Sequence, residues 1–219
     1  MKLAIIHTTP VTIEPLKKLA EKYLANYEII NFLDDSILPS LLSTGGNIEK
    51  IEHKLIQYSI FAKEAEADII LFACSSVGEV AVKAEQKVSI PVERIDEAMA
   101  EQAIHQGDKI AVIATLSTTL NPTVALLKQK ADIYNMSPQI ITLLANEAYT
   151  ALTNGDKEMH DTILANEIDR LAAEVDIVVL AQASMARVLV QLPEKVKDKC
   201  LTSPELGMKR VQEVMKGLW

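Results

Sequence analysis

Asp68-Ile69-Ile70-Leu71-Phe72-Ala73-Cys74-Ser75-Ser76 returns 108 residues later (176 minus 68) as Asp176-Ile177-Val178-Val179-Leu180-Ala181-Gln182-Ala183-Ser184. The chain start repeats at nearly the same offset. Lys2-Leu3-Ala4-Ile5-Ile6-His7-Thr8 comes back as Lys109-Ile110-Ala111-Val112-Ile113-Ala114-Thr115, with Thr12 against Thr119 and Pro15 against Pro122. Two windows in step imply two related halves, expected to face each other across a cleft. At one position the symmetry breaks chemically: Cys74 in the first half stands against Gln182 in the second.

Between and around these windows, short apolar or β-branched runs alternate with longer segments of helical period. Strands are expected at 2–7, 28–33, 68–73, 88–92, 109–114, 138–144, 176–181 and 199–202. Most are continuous apolar runs, as required when helices cover both faces of a sheet. Helices are expected at Pro15–Tyr23, Ile48–Ala67, Val77–Gln86, Thr118–Ala131 and Lys157–Glu174; within the second of these, Ile51, Leu55, Tyr58 and Ala62 form a core-facing stripe. Such alternation specifies α/β with parallel sheets. The expected architecture is two pseudo-symmetric flavodoxin-like units, each a four-stranded parallel sheet flanked by helices, with the active site in the cleft. The first half spans 1–95, joined by a closing helix at about 205–219, and the second spans 96–204. Thr44-Gly45-Gly46-Asn47 reads as a turn or the hinge of a small lid.

The bulk numbers exclude some functions. A formal charge of −8 and a pI of about 5.1 provide no attractive field for nucleic acid or anionic membrane. No apolar run approaches the roughly 18 residues needed to span a bilayer. Two cysteines at unlike positions point to reduced thiols in a cytoplasmic protein, and no His/Cys/Asp/Glu set has metal-ligand spacing.

In open parallel sheets, ligands sit beyond the carboxyl ends of the strands. That rule gathers His7, Thr8, Asp34 and Cys74-Ser75-Ser76 from one half, and Thr115 through Thr119, Asn146-Glu147 and Gln182-Ala183-Ser184 from the other. Small hydroxylated residues dominate, as suits a compact carboxylate or carbonyl ligand held by hydroxyls and backbone N–H groups. Cys74 ends a strand and opens a helical segment, a setting that favours the reactive thiolate. Thr115, Ser117 and Thr118 are expected to bind a carboxylate, with some hydroxyls of this run capping the helix. Cys200 lacks the strand–Cys–Ser–Ser context and reads as a structural residue. His7 is either a proton-transfer group or a satisfied structural histidine. His53, His105 and His160 read as surface residues.

Five stretches taken together resemble the Asp/Glu/hydantoin racemase superfamily. They are Phe72–Gly78, Thr115-Leu116-Ser117-Thr118-Thr119, Leu180-Ala181-Gln182-Ala183-Ser184-Met185-Ala186, Leu201–Gly207, and Asn154-Gly155-Asp156 with His160-Asp161. The resemblance covers essentially the whole chain. It implies cofactor-independent chemistry, without pyridoxal or metal, at the carbon next to a carboxylate or carbonyl of a small molecule. It also implies a homo-oligomer. Racemases of this superfamily use two cysteines on opposite faces of the α-carbon. Cys74 falls on the first position and Gln182 on the second, which puts two-thiol racemisation in question, since an amide does not ionise. The resemblance therefore leaves three readings. One is an isomerase in which His7 or Glu147 substitutes for the second thiol. Another is a one-sided lyase, decarboxylase or maleate-isomerase-like enzyme using Cys74. The third is a carboxylate-binding protein without turnover. Thr8, Ser75, Ser76, Thr115, Ser117, Thr118, Ala183 and Ser184 are the substrate-binding residues it suggests.

Overall fold

The computed structural model describes residues 1–218. Its elements run β1 (Lys2–His7), α1 (Ile13–Tyr23), β2 (Glu28–Leu33), α2 (Ile37–Ser43), α3 (Glu49–Glu64), β3 (Ile69–Phe72), α4 (Ala81–Val88), β4 (Val92–Arg94) and α5 (Glu97–Gln106). They continue with β5 (Lys109–Ala114), α6 (Ser117–Ile133), β6 (Gln139–Leu144), α7 (Asn146–Thr153), α8 (Lys157–Ala172), β7 (Ile177–Leu180), α9 (Glu194–Lys197), β8 (Cys200–Thr202) and α10 (Ser203–Gly217). Two compact units result, Met1–Glu97 with Pro204–Trp219, and Ala98–Ser203. Each holds one four-stranded, all-parallel sheet, in the orders β2-β1-β3-β4 and β6-β5-β7-β8. These are two flavodoxin-like α/β units with the same strand order.

The first unit shows why its central strands are apolar throughout. Alternate residues of a strand face opposite sides. Ala4, Ile6, Ile70 and Phe72 pack on one side with Ile37 and Leu41 of α2, Ile51, Leu55 and Ala62 of α3, and Ala84 of α4. Leu3, Ile5, Ile69 and Leu71 pack on the other with Leu16 and Ala20 of α1 and with Met208, Val211 and Met215 of α10. The closing helix thus supplies part of the first unit's core. In the second unit, Ala111, Ile113, Val178 and Leu180 pack with Ala148 of α7 and with Leu164, Ile168 and Leu171 of α8. Among the described residues, no helix is long and apolar enough to cross a membrane.

Helices α2, α5 and α7 were not among the expected ones, and two expected elements are placed differently. The strand expected at 88–92 forms at Val92–Arg94, because α4 runs on through Val88 and stops at Ser89, whose φ of 57° is left-handed. The helix expected from Val77 begins instead as a 3-10 segment, Ser75–Val80, before α4 starts at Ala81. A second 3-10 segment, Ala183–Gln191, follows β7 at the matching place. Thr44–Asn47 is the turn after α2, with Gly45 and Gly46 at positive φ.

Candidate active site

In a parallel sheet of order 2-1-3-4 the strand order reverses between the first and third strands, and the crevice at their carboxyl ends is the binding position. In the first unit that crevice lies between β1 and β3, which are in register at Ile6 and Phe72. The residues just beyond are His7 and Thr8 on one side and Ala73 and Cys74 on the other, tied by Ala73 N–H donating to the Ile6 carbonyl at 3.0 Å. Thr8 is only 1% exposed, and its hydroxyl has no hydrogen-bond partner among the described residues. A buried hydroxyl without a partner costs roughly 1–3 kcal/mol, so a ligand oxygen there would be well received. Cys74 is half-buried and reduced, and it is the extended N-cap residue of the 3-10 segment, with Val77 N–H donating to its carbonyl at 3.2 Å. Ser75 and Ser76 are buried within that segment.

His7 is fully buried, with Nδ1 2.8 Å from Thr12 Oγ1 and Nε2 2.9 Å from Asn31 Oδ1. Burial pushes its pKa below the ordinary value, against the hydrogen bond to Asn31. A neutral ring protonated on Nε2 donates to Asn31 Oδ1, while the Thr12 hydroxyl beside Nδ1 donates to the Thr9 carbonyl at 3.1 Å. Each ring nitrogen of His7 thus has a side chain of its own unit within hydrogen-bond distance. Asp34, beyond β2, is also engaged: it accepts from Ser36, from Tyr58 Oη at 2.9 Å and from Lys54 Nζ at 3.2 Å.

In the second unit the corresponding crevice lies between β5 and β7, in register at Ile113 and Leu180. Here Gln182 Oε1 accepts two hydrogen bonds from Thr115, from its backbone N–H at 2.6 Å and its hydroxyl at 2.9 Å. That fixes the amide, with its oxygen spent on Thr115 and its NH2 group left as the available polar end. Thr115 is 2% exposed and its hydroxyl is already committed, unlike the free carboxylate ligand expected from the sequence. Thr118 is the opposite case, buried on the first turn of α6 with no partner for its hydroxyl among the described residues. Ser117 is exposed, and Ala183 and Ser184 are half-buried. The expectation that hydroxyls cap α6 does not hold: Leu116 is the N-cap residue, and no side chain caps the helix. Glu147 is exposed on the first turn of α7.

The sequence reading misplaced one further group, His160, and missed another, the Arg94–Asp96 pair. His160 is buried rather than on the surface, because the stripe His160, Leu164, Ile168 and Leu171 faces the core. Its Nδ1 lies 2.6 Å from Asp161, which also receives Arg187 of the second 3-10 segment at 2.8 Å. The helical spacing of that stripe was the available signal. In the first unit, Arg94 donates to buried Asp96 through Nε at 2.7 Å and Nη2 at 2.9 Å. Nothing in the sequence marks that pair. Cys200 donates its S–H to the Val196 carbonyl at 3.2 Å, and burial pushes its thiol up to about 11.

No curated protein sequence matches this chain closely enough to be counted as similar. Solved structures do. Glutamate racemase from Francisella tularensis in complex with D-glutamate superimposes with a TM-score of 0.76 at 16% identity, covering 99% of this chain and 81% of that one. Allantoin racemase from Klebsiella pneumoniae gives 0.67 at 16% identity, covering 99% and 88%. A mutant arylmalonate decarboxylase in a sulfate-associated form gives 0.60 at 11% identity, covering 99% and 94%. At these identities the likeness is one of fold. The model of the Asp/Glu/Hydantoin racemase family matches residues 6–211, nearly the whole chain, and the protein belongs to that family.

Proposed function

We propose that this chain is an enzyme that transfers a proton, without a cofactor, at the carbon next to a carboxylate or carbonyl of a small molecule, with Cys74 as the acid–base thiol. The observation that carries the proposal is the pairing of a half-buried thiol and an unpartnered buried hydroxyl, Cys74 and Thr8, at the switch point of one sheet. A thiolate can remove a proton from an activated carbon or attack it as a nucleophile, and a thiol can return one. Ser75, Ser76, Thr118, Ala183 and Ser184 are the proposed substrate contacts, and a small carboxylate is the proposed ligand class, in keeping with the D-glutamate held by the Francisella relative. Both racemases and a decarboxylase share the fold, so inversion and one-sided chemistry are both within its range.

One observation favours the one-sided reading. Gln182 occupies the position where the resemblance implies a second thiol, and its oxygen is held by Thr115. An amide exchanges no proton near neutral pH, so it serves as a fixed dipole and not as an acid. Delivery from Cys74 alone yields one enantiomer. The test is NMR in deuterium oxide on both enantiomers of aspartate and glutamate, a hydantoin, an arylmalonate and maleate, for the native protein and Cys74→Ser. Loss of an α-proton signal or formation of product with the native protein alone is the expected result, followed by a single product enantiomer on chiral analysis. Equal exchange into both enantiomers would restore inversion. Turnover unchanged in Cys74→Ser would remove Cys74 from the chemistry.

A further inference from the structure

Four residues beyond Cys74, the 3-10 segment rests on a buried charge pair. Strand β4 pairs with β3 so that Arg94 lies beside Phe72, and Ile95 N–H donates to the Phe72 carbonyl at 3.0 Å. From that strand the Arg94 guanidinium turns against Gly78. A Cβ built on Gly78 would lie 2.5 Å from Arg94 Nε, 2.7 Å from Cζ and 2.8 Å from Nη2. Three bonded atoms of one planar group at nearly equal distance mean that the guanidinium lies face-on against Gly78, where an added Cβ would force it to shift. Asp96, with no exposed surface, accepts from Nε and Nη2 together, and this bidentate fork fixes the plane of the guanidinium.

A 3-10 segment of six residues is longer than the three or four such segments usually sustain, because its hydrogen bonds are poorly aligned. Contacts from neighbouring elements, the Arg94 guanidinium against Gly78 among them, supplement its own hydrogen bonds. A buried ion pair is a poor choice for stability alone, since apolar side chains of similar volume commonly do as well or better. What it supplies is a flat surface of fixed orientation. We infer that Arg94 and Asp96 are positioning residues for Cys74: Asp96 orients Arg94, Arg94 seats Gly78, and the seated 3-10 turn sets where the thiol at its head points. The inference rests on the role proposed for Cys74, but its test does not depend on turnover.

The experiment uses the full chain with Cys200→Ser, so that Cys74 is the sole thiol, and reads its rate of alkylation by iodoacetamide, its melting temperature and its α-proton exchange. Arg94→Lys keeps the charge without the fork. It is expected to raise Cys74 alkylation about threefold or more, as the half-buried thiol loosens, and to lower exchange about tenfold or more, since small misplacements are costly. The double variant Arg94→Met with Asp96→Leu replaces the pair by apolar volume. It is expected to melt near the parent while keeping both the faster alkylation and the slower exchange. A folded double variant with parental alkylation would overturn the inference, because the pair would then be packing only. Should the double variant not fold, Gly78→Ala disturbs the seat with the pair intact, and the same faster alkylation is expected. Parental alkylation in folded Gly78→Ala overturns the inference too. Faster alkylation without exchange on any substrate supports the positioning and defeats the catalytic reading. Exchange that needs Cys74 but ignores Arg94 does the reverse.

Discussion

At the scale of single residues, the two cysteines and the glutamine divide cleanly by environment. Cys200 is structural: its thiol donates to Val196, and with burial raising its pKa to about 11, roughly one molecule in a thousand carries the thiolate at pH 8. Native protein treated with iodoacetamide at pH 8 is therefore expected to modify Cys74 first. Mass spectrometry of the tryptic peptides checks the order, and rapid labelling of Cys200 would contradict its buried placement. Gln182 does a different job. Replacing it by leucine leaves the Thr115 N–H and hydroxyl without their acceptor, at a cost of about 1–3 kcal/mol. Urea denaturation measures that loss, and unchanged stability would mean that the amide is not held as described. The identity of both residues was legible in the broken repeat. Their partners were not, because Thr115 and Gln182 are 67 residues apart and meet only once β5 and β7 pair.

At the scale of elements, Asp34 ties the end of β2 to α3. Burial alone would raise its pKa, but hydrogen bonds from the Ser36 hydroxyl and N–H, from Tyr58 and from Lys54 outweigh it and hold the carboxyl at about 2. A carboxyl whose folded pKa lies below its unfolded value of about 3.9 stabilises the fold above that pH, and the contribution fades as pH falls through the folded value. The difference in melting temperature between native protein and Asp34→Asn should thus be full at pH 6, shrink below pH 4 and be nearly gone at pH 2. Thermal melts across that range test it, and a difference that persisted unchanged at pH 2 would rule the linkage out. The strands and the long helices were legible from period, whereas the shorter helices α2, α5 and α7 were not. The 3-10 segments after β3 and β7 carry the same apolar spacing as an α-helix over so short a span, so only the hydrogen-bond pattern separates them.

For the whole molecule, α10 closes one side of the first unit's core. It follows the second unit in sequence yet places Met208, Val211 and Met215 in the first unit's core. Its approach is close: a Cβ on Gly207 would lie 2.5 Å from the Ile95 carbonyl oxygen, a backbone atom that cannot swing aside. Gly207→Ala is expected to cost about 1–3 kcal/mol by forcing helix and strand apart. Chemical denaturation reads it, and a neutral result would mean that the helix docks less tightly. The exposed pairs among Lys22, Lys209 and Glu205 flank this contact and add little.

By itself, the sequence determined the α/β class, the duplication, the strands to within a few residues and the position of Cys74 at a strand end. Each of these is written in local pattern: runs of apolar residues, helical spacing, and a repeat that needs no third dimension to be seen. Packing alone shows that Thr8 and Thr118 have no hydroxyl partner among the described residues, that both ring nitrogens of His7 have neighbours within hydrogen-bond distance, that His160 is buried, and that Arg94 lies against Gly78. Those facts depend on which strand lies beside which. Partners far apart in the chain settle them, and a hydrogen bond or a steric seat leaves no periodic trace in the residues that make it.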